Sequence, residues 1–176
     1  MGGLVVSVPT WKKALSYLTE IRLEETSSEY HSILAVNLSK GRFQLCCEKA
    51  IYSYDDKYDN FKLSFEQLKF NPNWSRVLLL GLGLASVPYM LEKVFSKKYD
   101  YTAIELDEVV AHLAQKYTLS RLDSSMQVVI ADAKIYLELD NENYDMIVMD
   151  IFAEDIIPNK FETCLLYTSP SPRDRG

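Results

Sequence analysis

Four short stretches of the chain each run into a residue type that can hold or act on a ligand. Val77-Leu-Leu-Leu80 leads into Gly81-Leu82-Gly83-Leu84-Ala85. Tyr99 to Ile104 leads to Glu105, Gln127 to Ile130 is followed by Asp132, and Tyr144 to Met149 ends in Asp150. Glycines let a backbone turn tightly and admit a ligand where a Cβ would block it. A carboxylate about twenty residues beyond such glycines accepts hydrogen bonds from two ribose hydroxyls, and Glu105 lies 22 residues after Gly83. Asp132 is placed to accept from the exocyclic amine of a purine. Asp150 would face the reacting end of the ligand, as a base or as the holder of a cation.

These residues need a frame, and the hydropathy pattern supplies one. From Arg76 onward, apolar strands alternate with amphipathic helices: a helix over 85–96, one capped by Asp107 and running to Tyr117, and one capped by Asp132 and running through Leu139. That alternation predicts a parallel sheet covered on both faces. In such sheets ligands sit at the carboxyl ends of the strands, which is where the glycines and the three carboxylates fall. Before this lies a different pattern. His31 to Leu38 alternates, Ser39-Lys40-Gly41 turns, Arg42 to Cys47 alternates again, and Ala50 to Tyr54 adds a third short strand. A helix bearing Phe61, Phe65 and Leu68 follows and stops at Asn71-Pro72-Asn73.

Plainer readings exist for each candidate. Gly81 and Gly83 also suit an ordinary βα turn, and Glu105 a solvated strand end. Asp107 and Asp132 are good helix caps whatever else they do. His31 and His112 have no partner at a telling spacing and suit structural or surface roles. Cys46 and Cys47 are neighbours on an alternating strand, so their thiols point to opposite faces. Tyr52, Tyr54 and Tyr58 read as an aromatic cluster in the core or at its rim.

Composition narrows the classes. The chain has 176 residues, a formal net charge of −6 and 48% hydrophobic residues, values of a soluble globular protein. The acidic balance argues against a phosphate-backbone binder. No apolar run is long enough to span a membrane, no secretory signal is evident, and Val6 stands where a myristoylation motif wants Ser or Thr. Three cysteines, two of them adjacent, form neither a disulfide framework nor a zinc site. A cytoplasmic location follows as the expectation, with no nucleic-acid, membrane or metal partner.

The motifs together resemble the class I S-adenosylmethionine-dependent methyltransferases. Val77 to Gly83, Tyr101 to Asp107, Val128 to Ala133 and Tyr144 to Asp150 carry the resemblance. Within that superfamily they are most similar to the spermidine synthase-like branch. Ser28-Glu29-Tyr30-His31-Ser32-Ile33 is similar to its Glu-x-x-Tyr-Gln-x-Ile motif. Asp150-Ile-Phe-Ala-Glu-Asp155-Ile-Ile-Pro158 is similar to its Asp-x-Phe-x-x-Asp-x-Ile-Pro segment. The resemblance implies a Rossmann-like sheet preceded by a small antiparallel β-subdomain. It implies methyl or aminopropyl transfer from S-adenosylmethionine or decarboxylated S-adenosylmethionine to a small acceptor, an amine by preference, and a homodimer. Gly81, Gly83, Glu105, Asp132 and His31 would bind the donor, and Asp150 would be catalytic. The chain departs from the branch's Gly-Gly-Gly-Asp-Gly-Gly loop: Leu84 stands at the Asp, and Ala85 and Ser86 at the last glycines. A non-catalytic nucleoside-binding module and a nicotinamide-dependent oxidoreductase are the alternatives, the latter weakened by Ser86 at the third glycine of its motif.

Three segments result: 1–56, a β-rich subdomain; 57–163, a Rossmann-like nucleoside-binding domain; and 164–176, a tail. Cys164 to Asp174 matches the in-frame translation of a sequencing-library transposase adapter. The tail is therefore expected to be a scar outside the fold, against the alternative of a Ser/Pro-rich disordered tail. The sequence is then expected to run on past Thr163 in nature, with the sheet cut after its fourth parallel strand. Residues 1–163 alone would leave an apolar sheet edge and are expected to be poorly stable and inactive.

Overall fold

The computed structural model describes residues 6–47 and 50–151. The 164–176 tail and the 152–158 part of the Asp150 motif lie outside the described residues.

The first sheet is antiparallel, with β1 (Ile21–Thr26), β2 (Leu34–Ser39), β3 (Arg42–Cys47) and β4 (Ala50–Tyr54) in chain order. Lys40 and Gly41 form the β2–β3 turn, both with positive φ, 50° and 75°. That is the two-residue hairpin geometry that matches strand twist, and it pairs Ser39 with Arg42. A short helix, α1 (Thr10–Leu15), precedes the sheet and buries none of its residues. With no buried stripe it leaves no periodic signal, and so the sequence pattern shows only strands here.

The second sheet is parallel. It contains β5 (Arg76–Leu80), β6 (Asp100–Glu105), β7 (Met126–Ile130) and β8 (Met146–Met149), in the order β7-β6-β5-β8. The helices are α2 (Asp59–Gln67), α3 (Ser86–Lys93), α4 (Glu108–Tyr117) and α5 (Ala133–Leu139). Alternate residues of β5 feed opposite faces. Val77 and Leu79 pack with Phe65, Met90, Leu91 and Ala114, while Leu78 and Leu80 pack with Ala133, Tyr136 and Leu137. Helices thus cover both faces, as the continuous apolar strands require. Two helices are shorter than their patterns. Leu68 is already extended beyond α2, and Ala85, at φ 60° and ψ 39°, is left-handed and so precedes α3. β8 lies at an edge of the described sheet, with Ile147 51% exposed.

The two sheets share a core. Leu34, Val36, Leu38 and Leu45 pack against Val110, Leu113 and Tyr117 of α4 and against Leu84 of the glycine loop. Two polar ties reinforce this. The fully buried Asp55 pairs with Arg121 at 3.1 Å and accepts from the Phe43 amide. Glu24 of β1 accepts from Lys116 and Tyr117 of α4. Among the described residues no helix is long and apolar enough to cross a membrane.

Candidate active site

From β5 the chain builds β6 and β7 on one side and then crosses to β8 on the other. This reversal opens a crevice at the carboxyl ends of β5 and β8. The ladder continues one residue past each strand: Gly81 donates to the Ile104 carbonyl at 2.8 Å, and Asp150 donates to the Leu80 carbonyl at 2.7 Å. Gly81 has φ +87°, and a Cβ there would lie 2.2 Å from the Asp150 carbonyl oxygen. Only glycine fits. Gly83 has φ +53°, and its Cβ would meet Ser53 at 3.2 Å. The glycine loop is therefore pressed between the start of the Asp150 motif and β4.

Glu105 does more than end a strand. Its Oε2 accepts from the amides of Leu82 at 2.9 Å and Gly83 at 3.3 Å, and its Oε1 accepts from the Asp107 amide at 3.1 Å. The carboxylate holds the glycine loop from below. Asp107 is the expected cap of α4, accepting from Val109, and it also accepts a hydrogen bond from the Ser28 hydroxyl. Asp132 caps α5 through Oδ1, accepting from Lys134 at 2.8 Å and Ile135 at 3.3 Å. It stands at the end of β7, two strands away from β5. Leu106 (43%) and Ile130 (48%) are exposed at the strand ends beside these carboxylates. Apolar surface next to a few placed acceptors is the lining a purine nucleoside takes, so the residues present fit the donor.

Asp150 is half-buried, and Tyr58 donates to its Oδ1 at 3.0 Å. Burial lifts the Asp150 carboxyl to about 7; the Tyr58 hydrogen bond works the other way, and the Glu105 charge adds to the rise. A carboxyl poised near neutrality in a crevice is suited to exchanging a proton. Burial and the Asp150 charge push the Tyr58 hydroxyl up, so it stays a donor.

His31 is held from several sides. Its amide donates to Ser28 Oγ at 3.1 Å, its Nδ1 lies 3.1 Å from Cys47 Sγ, and its ring meets Tyr52 edge-on at 5.3 Å. Ser28 links it to Asp107, and Tyr52 links it to Gly83, whose Cβ would lie 3.6 Å from the Tyr52 carbonyl. The three tyrosines do not form one cluster. Tyr52 turns to His31, Tyr54 donates to Ser39, and Tyr58 reaches Asp150.

Sequence reasoning missed three contributors: Tyr58, Cys47 and the Ser53–Ser86 pair. Ser53 Oγ lies 2.6 Å from Ser86 Oγ and accepts from the Leu84 amide, while Ser86 accepts from the Tyr54 amide. Both serines are buried. The third-glycine position is thus filled by a hydroxyl that ties the loop to β4, and Leu84 is committed to the shared core. Among the described residues no group of three or more His, Cys, Asp or Glu side chains is arranged to hold a metal ion.

No family model matches the chain. Over 139 residues it is 29% identical to a polyamine aminopropyltransferase of Vibrio vulnificus, covering 74% of this chain and 44% of that protein. A spermidine synthase solved with the transition state analogue AdoDATO superposes with a TM-score of 0.58 at 18% identity, covering 74% of this chain and 47% of the other. The chain is similar in fold to this spermidine synthase. A probable spermidine synthase from Corynebacterium glutamicum superposes with a TM-score of 0.61, again at 18% identity, covering 80% and 56% of the two chains. The Rossmann-like fold with its antiparallel companion sheet is therefore the spermidine synthase fold. The chain spans about half the length of the relatives it matches.

Proposed function

We propose that this chain carries the donor-binding and proton-accepting half of an aminopropyltransferase-like site, with decarboxylated S-adenosylmethionine as donor and a small amine as acceptor. The observation that carries the reading is Asp150. A carboxyl near neutrality touches the glycine loop through its own backbone and is held by Tyr58. The named relatives, a polyamine aminopropyltransferase and two spermidine synthases, support the same chemistry.

The sulfonium donor is intrinsically reactive, and alignment supplies most of the acceleration. The amine nitrogen attacks the carbon on sulfur, the C–S bond breaks, and its electron pair stays on sulfur as a neutral thioether. The amine's surplus proton passes to Asp150. Gly81 and Gly83 let the backbone approach the donor. Glu105 accepts from the ribose, Asp132 from the adenine amine, and His31 closes the nucleoside side. Plain S-adenosylmethionine, with methyl transfer, is the second donor to try. A cytoplasmic setting belongs to the same reading.

The test, made on the complete protein, is mass-spectrometric detection of the aminopropylated amine after incubation with decarboxylated S-adenosylmethionine and a diamine. Wild type should form product, and Asp150→Asn should slow it by about 100-fold or more. A wild type that forms no product at saturating donor contradicts the transferase reading and favours a binding module. Light scattering of the same sample tests the homodimer that the resemblance implies.

A further inference from the structure

We propose that Cys47 is a positioning residue for His31, its thiol fixing the imidazole in the tautomer that carries its proton on Nε2. The role toward a ligand rests on the reading above that His31 lines the donor site; the tautomer does not.

The strand register selects this thiol. Cys47 pairs with Leu34, on the face that packs into the shared core, while Cys46 pairs with Ala35 on the opposite face. Of the two adjacent cysteines only the second reaches His31, at 3.1 Å from Nδ1. Sulfur is a weak acceptor, whereas an unprotonated imidazole nitrogen is a good one. The buried thiol therefore donates S–H to Nδ1. The bond made by one ring nitrogen decides the state of the other, so Nε2 bears the proton.

The rest of the residue is fixed as well. Ser28 accepts from the His31 amide and donates its own amide to the His31 carbonyl at 2.9 Å. The Ser28 hydroxyl is anchored on Asp107, whose amide in turn binds Glu105. The Tyr52 ring stands at 82° to the imidazole plane and limits its rotation. Backbone and ring are thus set from the same rim that holds the glycine loop. Cys47 supplies the one thing those contacts leave open, which ring nitrogen carries the proton. A donor nucleoside would then meet a hydrogen-bond donor at this position, as a side-chain amide would also offer.

The test is the side-chain 15N spectrum of the full chain, which has only two histidines; a His112→Gln variant assigns His31. At about pH 8, where a free histidine is neutral, wild type, Cys46→Ala and Cys47→Ser should show His31 with a bare Nδ1 and a protonated Nε2. Cys47→Ala should show averaged shifts of exchanging tautomers. A wild type with a protonated Nδ1, or with averaged shifts, overturns the proposal, and this spectrum decides the tautomer even where the alanine variant does not fold. Calorimetric titration with decarboxylated S-adenosylmethionine is the second arm. Loss of one hydrogen bond's worth of order should weaken Cys47→Ala by about fivefold, with Cys47→Ser within about twofold of wild type. Equal affinities for wild type and Cys47→Ala overturn the positioning role. A wild type that has the expected tautomer and binds no nucleoside overturns the donor-site reading instead.

Discussion

Tyr58 and Asp150, 92 residues apart in the chain, meet in a 3.0 Å hydrogen bond at the mouth of the β5–β8 crevice. The tyrosine comes from the segment that joins the two sheets and the aspartate from the end of the last described strand. One contact therefore joins the linker to the reactive rim and holds the carboxyl where it can exchange a proton.

Asp150 makes stability depend on pH in a definite direction. Its carboxyl rises from 3.8 to about 7 on folding, so the folded chain keeps a proton that the unfolded chain has lost. Stability then falls as pH rises from about 4 to about 7, and the penalty is complete above that window. Asn has a similar shape and still accepts from Tyr58. Relative to wild type, Asp150→Asn should gain on the order of 1–2 kcal/mol between pH 5 and pH 8, the full shift being discounted for solvent screening. Urea unfolding at both pH values checks it; a pH-independent difference contradicts the buried-carboxyl account.

The two loop glycines should not respond alike to alanine. At Gly81 the new Cβ collides with the Asp150 carbonyl at 2.2 Å and φ is +87°, so Gly81→Ala should cost about 3 kcal/mol or more. At Gly83 the neighbour is a side chain at 3.2 Å and φ is +53°, so Gly83→Ala should cost about 1 kcal/mol. Denaturation midpoints rank the two, and equal losses would count against the close Gly81–Asp150 approach.

Glu105→Gln keeps the shape and changes the hydrogen bonding. Three backbone amides point at the carboxylate, and one end of the amide would present N–H to N–H. The expected cost is about 1–3 kcal/mol of stability, with donor affinity lower by about tenfold or more. Calorimetry on the folded variant separates the two effects. Undiminished affinity would remove Glu105 from the donor site.

Glu92 contributes on the acid side. Although burial pushes its carboxyl up, hydrogen bonds from Lys93, Ser124 and the amides of Asp123 and Ser124 hold it at about 2 against 4.5 in the open chain. Its contribution is present above about pH 4.5 and is lost as pH falls toward 2. Glu92→Gln should be less stable at neutral pH by about 1–3 kcal/mol and should show a shallower acid loss in urea titrations. Parallel acid profiles would contradict this.

The strands and caps of the parallel sheet were legible because their signals are local. Val77 to Leu80 is a continuous apolar run, and Asp107 and Asp132 stand one residue before amphipathic helices, where both do cap. The rim carboxylates follow from those strand ends. What sequence could not show depends on distant partners. Tyr58 reached Asp150 and Ser86 reached Ser53 only once the sheets had packed, and Cys47 reached His31 only once β3 had paired with β2. Leu84 and Ser86, departures from a glycine-rich loop, became intelligible as core and brace only beside β4 and α4.

The measurement that bears most directly on the donor site is a calorimetric titration of the full chain with decarboxylated S-adenosylmethionine, with S-adenosylmethionine and NAD alongside. We predict saturable binding of the decarboxylated donor with Kd in the range of about 1 μM to 1 mM, weakened by about tenfold or more in Glu105→Gln, and no heat with NAD. Binding of NAD in preference to either sulfonium, or no heat with any of the three, would contradict the account.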